Sequence, residues 1–171
     1  MKIVSGAQTG VDRAALDAAL ESSAEVGGWC PEGRIAEDGI IPEKYPVKEL
    51  PGSGYRQRTK RNVIDSDGTV IIYFGYPSGG TEQTIVFCIK EKKPYLLIDA
   101  EEIPVERASR KVEEFIARYS RCRVARDHRC LHVGMRHSGT AAPCSFGMAH
   151  ANAGGTRMAV RHRYCGKDRS L

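Results

Sequence analysis

Strands that run straight into glycine-rich turns, and from there into helices, constrain this chain more than any other feature. Lys2-Ile3-Val4-Ser5 is a short strand ended by Gly6-Ala7-Gln8-Thr9-Gly10, and Ala14, Ala15, Leu16, Ala18, Ala19 and Leu20 then give a helix its apolar face. Thr69-Val70-Ile71-Ile72-Tyr73-Phe74 is continuous, β-branched and aromatic, as a strand buried on both faces must be. Pro77-Ser78-Gly79-Gly80-Thr81 leads from it into a helix predicted over 81–92. Another buried strand is predicted at 94–99, and Val112, Phe115, Ile116 and Tyr119 set the apolar face of a helix over 105–119. Alternating strands and helices predict an α/β fold with a mainly parallel sheet and right-handed crossovers. In open sheets of that kind ligands bind beyond the carboxyl ends of the strands, which is where the glycine-rich turns fall.

Between these elements lie a short strand at 24–28, a long loop from Trp29 to Gly54 and a polar helix from Tyr55 to Asp65. The loop holds Pro31, Pro42, Pro46 and Pro51, so it cannot be one regular element, and loops of that length are often functional. A length of 171 residues, 41% of them hydrophobic and 27% charged, fits one globular domain. No apolar run approaches the roughly 18 residues that cross a bilayer, and Met1 to Gly6 moves straight into a strand without a leader pattern. A cytoplasmic protein without a membrane partner is therefore expected. Cys30 and Cys88 read as buried free thiols, and Cys122, Cys130, Cys144 and Cys165 form no C-x-x-C pair, so zinc is only weakly supported.

The net charge of +5 hides an asymmetry. Residues 1–117 carry 15 Lys/Arg against 19 Asp/Glu, a balance of −4, whereas residues 118–171 carry 11 against 2, a balance of +9, together with all five histidines. The basicity thus belongs to the carboxyl end, and nucleic acid is not an expected partner of the main domain. We expect a ligand-binding domain over 1–138 and an atypical, poorly ordered basic tail over 139–171, which lacks apolar periodicity.

The strongest chemical signal is Gly6-Ala7-Gln8-Thr9-Gly10-Val11-Asp12-Arg13 between a strand and a helix. Glycines let a backbone approach a ligand closely, and the orphan N–H groups and dipole of the next helix favour an anion there. A plain tight turn capped by Thr9 or Asp12 is the alternative. Ser78-Gly79-Gly80-Thr81-Glu82-Gln83-Thr84 repeats the pattern, with a helix cap at Thr81 as its plainer reading, and two such loops on neighbouring strands would face one crevice. Neither is a Walker A motif nor a good G-x-G-x-x-G fingerprint. Trp29, the single tryptophan, stands near Gly33 and Arg34 and would either stack on a planar heterocycle or plug the sheet edge. Glu37 and Asp38 are candidates for holding a metal or a ligand amine, or are solvated loop acids. Arg58 and Asn62, four apart on one helix face, would reach a phosphate or base edge, or form part of a solvated basic surface.

Three blocks, Ser5 to Asp17, Gly28-Trp-Cys-Pro-Glu-Gly-Arg-Ile-Ala-Glu-Asp-Gly39 and Tyr55-Arg-Gln-Arg-Thr-Lys-Arg-Asn-Val-Ile-Asp-Ser-Asp67, resemble the "putative molybdenum carrier" family, and Gly79-Gly-Thr81 with Thr84 resembles its next block. That family is a circularly permuted branch of the SLOG and lysine-decarboxylase-like superfamily. The resemblance implies a Rossmann-like three-layer domain that binds a phosphate-bearing, nucleotide-like ligand, with the molybdenum cofactor, a pterin bearing a terminal phosphate, carried by some members. The ligand residues it implies are Gly6, Gln8, Thr9, Gly10, Asp12, Trp29, Gly33, Arg34, Arg58, Asn62, Gly79, Gly80 and Thr81. At the carboxyl end Leu131 to Ser138 matches a strand and turn with Met135 in place of a proline, which adds Arg136 and Ser138 to the pocket. Beyond Ser138 the likeness stops.

Two functions follow from the resemblance. The favoured one is a carrier or sensor without chemistry of its own. The alternative is a phosphoribohydrolase-like enzyme that cleaves an N-glycosidic bond, as cytokinin-activating relatives do. In this chain Thr84 stands where those relatives have glutamate, and Glu82 is the nearest acid, a weak catalytic candidate. Open edge strands would allow a homo-oligomer.

Overall fold

The computed structural model describes residues 1–120 and 130–134. The predicted Arg136 and Ser138, and the tail over 139–171, lie outside the described residues.

The first glycine-rich unit comprises β1 (Lys2–Val4), α1 (Val11–Glu21) and β2 (Glu25–Gly27), and the second comprises β7 (Gly68–Tyr73), α3 (Gly80–Lys90) and β8 (Tyr95–Asp99). Between them run β3 (Trp29–Pro31), a short 3-10 turn at Glu32–Arg34, β4 (Ile35–Ala36), β5 (Gly39–Ile40), β6 (Lys48–Leu50) and α2 (Tyr55–Asp65). After β8 come α4 (Val105–Ser120) and β9 (Cys130–Gly134). The main sheet has five strands in the order β2-β1-β9-β7-β8, each pair parallel. This is the expected three-layer α/β fold. One expectation needs correction, because the strands that feed the two glycine-rich loops are not neighbours: β9, the last described strand, lies between β1 and β7.

The two-residue period of a strand decides which side chains meet which layer. Ile3, Val70, Ile72, Leu131 and Val133 face one side and pack with Val112 and Phe115 of α4 and Val11 and Ala19 of α1. Ile71 faces the other side and packs with Val63 of α2 and Phe87 and Cys88 of α3. Burying each such aliphatic side chain contributes about 1.5–3 kcal/mol, so β7, with Val70, Ile71 and Ile72 all buried, is a principal anchor of the sheet.

The long loop is built from two small sheets, β3 with β6 in parallel and a β4–β5 hairpin, over a cluster of Leu16, Cys30, Ile41, Tyr45 and Val47. Arg34 is its internal tie. Its guanidinium donates to the carbonyl oxygens of Ile41, Val47, Pro42 and Tyr45 at 3.2, 2.9, 3.0 and 3.1 Å. Asn62 does a similar job from α2: its Oδ1 accepts from the Trp29 N–H at 2.8 Å and its Nδ2 donates to the Trp29 carbonyl at 3.0 Å. That pair replaces a strand partner for β3 and docks the loop on the helix.

Candidate functional site

Both glycine-rich turns end as helix caps. The cap of α1 is Gly10, at φ 79° and ψ −129°, and the cap of α3 is Gly79, at φ 55° and ψ −118°. The capping position of each helix is a glycine rather than Thr9, Asp12 or Thr81. Such starts direct backbone donors and the positive dipole end outward. The turn after β1 is also bent at Ala7, which sits at φ 54°, a left-handed angle uncommon outside glycine.

Arg58 reaches from α2 under the first turn. The residue is 4% exposed, and its Nη1 lies 3.5 Å from Asp12 Oδ2 in an ion pair that is buried on both sides. Gly6 is a glycine because of this guanidinium: a Cβ there would stand 1.5 Å from Arg58 Nη1 and 2.3 Å from its Cζ. Asp12 Oδ2 also accepts the Gln8 N–H at 3.2 Å, which ties turn, helix and guanidinium together.

Asp12 and Arg58 line one cleft with Thr59 of α2, Gly80 and Thr84 of α3, and His132 and Gly134 of β9. It opens beyond the carboxyl ends of β1, β9 and β7, where such sheets bind ligands. Its space, counted out to open solvent, is about 260 Å³, of which little is enclosed. The enclosed part admits about one water-sized group, so a phosphate would sit at the mouth and the remainder of a larger ligand outside.

The other predicted residues are distributed around this centre. Thr9 donates its hydroxyl to Glu37 at 2.9 Å, while Arg13 grips Asp38 through two bonds of 2.5 and 2.7 Å. The β4–β5 turn, which carries both acids, is thereby latched onto the first glycine-rich loop. The Asp38 carboxyl is held below its ordinary range, chiefly by the hydrogen bonds from Arg13. Gln8 is 1% exposed and spends its Nε2 on the Ile35 carbonyl at 3.1 Å. The Gly33 N–H donates to Glu49 at 2.6 Å, away from the cleft lining. Trp29 is pinned on α2, with its indole N–H on Asp65 at 2.7 Å and Arg61 over the ring at 5.5 Å, an arrangement closer to the plug than to an open stacking platform. Arg34 and Asn62 are occupied by backbone groups as described above. Thr81 is buried, and Glu82 is exposed and does not line the cleft.

Sequence reading missed Thr59, Thr84, Gly134 and above all His132. Thr84 was legible only as part of a likeness, and its hydroxyl bonds back to the Gly80 carbonyl at 2.8 Å. His132 is 1% exposed, and burial first, then the charge of Arg58, holds its imidazole down to about 3, so it is neutral at ordinary pH. Burial likewise raises the thiols of Cys30 and Cys88, which fits inert packing residues.

The family whose model matches the chain, over residues 3–140, is the circularly permutated YpsA SLOG family. Among solved structures, one from Syntrophus aciditrophicus SB named "putative molybdenum carrier protein" is 42% identical, with a TM-score of 0.71, over 77% of this chain and 79% of that one. No curated protein is matched. Among the described residues no helix is long and apolar enough to cross a membrane.

Proposed function

The chain belongs to the circularly permuted YpsA SLOG family, and from that premise we propose that it binds a phosphate-bearing, nucleotide-like ligand as a carrier or sensor. The observation that carries this reading is the buried Arg58 guanidinium, held by Asp12 against Gly6 in the cleft, with the glycine-capped starts of α1 and α3 beside it. The guanidinium and two helix starts together direct hydrogen-bond donors and positive dipole ends toward an anion at the cleft mouth.

The molybdenum cofactor is a candidate because a solved relative is named for molybdenum carriage. The Arg58 guanidinium and the Gly80 backbone at the start of α3 fit its phosphate end and would hold that group, while Thr59 and Thr84 spend their hydroxyl protons on the Tyr55 and Gly80 carbonyls. The chemistry the bound cofactor supplies is that of its metal, and the cleft lining contributes binding and orientation. The hydrolase alternative is less favoured, since Glu82 stands outside the cleft lining and Asp12, the acid within it, is ion-paired with Arg58.

Native mass spectrometry tests the reading, on protein purified from one host that makes molybdopterin and from one that does not. A cofactor-sized adduct from the first host alone, absent in Arg58→Gln with its melting transition intact, is the expected result. No adduct from either host, with no binding of ADP or phosphate by calorimetry, would overturn it.

A further inference from the structure

His132 stands on the central strand, in register between Val4 of β1 and Thr69 of β7, and faces the α2 side while Leu131 and Val133 face the other core. It lines the cleft, its Nδ1 has no hydrogen-bond partner, and it lies beside the one position of β9 where a missing side chain leaves room. A Cβ on Gly134 would rest 3.4 Å from His132 Cε1 and Nε2 and 3.6 Å from Asp12 Oδ1. Imidazole and carboxylate therefore converge on the same carbon-sized space at the floor of the cleft.

We propose that His132 takes up a proton from solvent as the ligand's dianionic group enters, and so makes this a proton-coupled site selective for dianionic oxyanions. The inference rests on the anion-binding reading above and adds the group that balances its charge. Among the described residues the charged groups facing the imidazole are Asp12 from α1 and Arg58 from α2, which pair with each other; α3 contributes Gly80 and Thr84, and Val4 and Thr69 flank it from the neighbouring strands, all uncharged. A phosphate monoester dianion at this cleft would bring two negative charges against a net charge of zero among the described lining residues. Buried charge is costly unless paired, and the titratable group at hand is the imidazole. Without ligand, burial and Arg58 keep it neutral. An anion on Arg58 cancels that field and adds attraction for the imidazolium, so both changes favour protonation. A neutral ligand or a monoanion would gain little from the same residue.

Calorimetry with sulfate, which remains a dianion throughout, between about pH 5 and 8 tests this across the range where histidine ordinarily titrates. Affinity should rise by up to about tenfold for each pH unit lowered, and the apparent heat should differ between two buffers of unlike protonation enthalpy by up to about one proton per sulfate. His132→Gln should bind with affinity that no longer depends on pH. Imidazole NMR shifts of the unaltered chain, with and without sulfate, read the protonation of His132 directly should the variant fail to fold. Sulfate binding that is flat in pH, takes up no proton and leaves the imidazole neutral overturns this inference and leaves anion binding standing. Failure of sulfate, phosphate and ADP to bind at any pH overturns both.

Discussion

Gly6→Ala is the most informative single change, because it adds one methyl group where the structure has a guanidinium. The backbone at Gly6 is outside the left-handed region, so the substitution carries no conformational penalty and its cost is one of space. The new Cβ would lie 1.5 Å from Arg58 Nη1, and ordinary contact needs about 3.5 Å, so the guanidinium must retreat by roughly 2 Å. Arg58 is 4% exposed and its partner Asp12 2%, so the retreat lengthens an ion pair that begins at 3.5 Å. Overpacking of this kind costs about 1–3 kcal/mol, and the loss climbs toward about 3–5 kcal/mol as Asp12 is left without its partner. In urea, with a slope near 2 kcal/mol/M, a loss of ~2 kcal/mol moves the midpoint down by about 1 M with the slope unchanged. Sulfate affinity should fall in parallel. The control is Arg58→Gln, whose side chain ends at the position of Nε and so withdraws the Nη1 and Cζ atoms that clash. On that background Gly6→Ala should cost less by at least ~1 kcal/mol, a coupling typical of residues in contact. Equal costs on the two backgrounds, or a loss under about 0.5 kcal/mol in the parent, would refute this account of why position 6 is glycine.

Gly28→Ala should be harsher and insensitive to Arg58, because its Cβ would stand 2.0 Å from the Ser5 carbonyl oxygen at a backbone φ of +138°; the expected result is no cooperative melting transition in circular dichroism. Arg34→Lys should destabilise by about 1–3 kcal/mol in urea although charge is kept, since an ammonium cannot span four carbonyls as the planar fork does. His132 is a base whose folded pKa is depressed, to about 3 from 6.5, so its stabilising contribution is complete above about pH 6.5 and declines as pH falls toward 3. Stability should then fall by up to ~1.4 kcal/mol per pH unit in that window, and a slope equally steep in His132→Gln would show that another group is responsible.

Much of the layout was legible because its causes are local. Helix α2 spans Tyr55–Asp65 as its polarity and breakers suggested, and β7 and β8 lie where β-branched runs stand between turns. The two glycine-rich helix starts were legible for the same reason, since positive φ at Gly10 and Gly79 is a property of single residues. The hairpin acids Glu37 and Asp38 were read as metal or amine ligands or solvated residues, and only the fold brings them to Thr9 and Arg13.

The sequence by itself determined the alternation of strands and helices, the glycine-rich turns and therefore the end of the sheet at which a ligand would sit. Tertiary structure alone decided that β9 enters between β1 and β7, since strand order depends on which edges remain open when the last strand arrives. It also separated two arginines that look alike in sequence: Arg34 met a ring of carbonyls and became a tie within the loop, whereas Arg58 met Asp12 and Gly6 and became the charge in the cleft. His132 is the clearest case. Nothing in its local sequence marks it, and its significance comes from the strand's two-residue period, which turns it toward Arg58 and Asp12 while its neighbours turn toward the core.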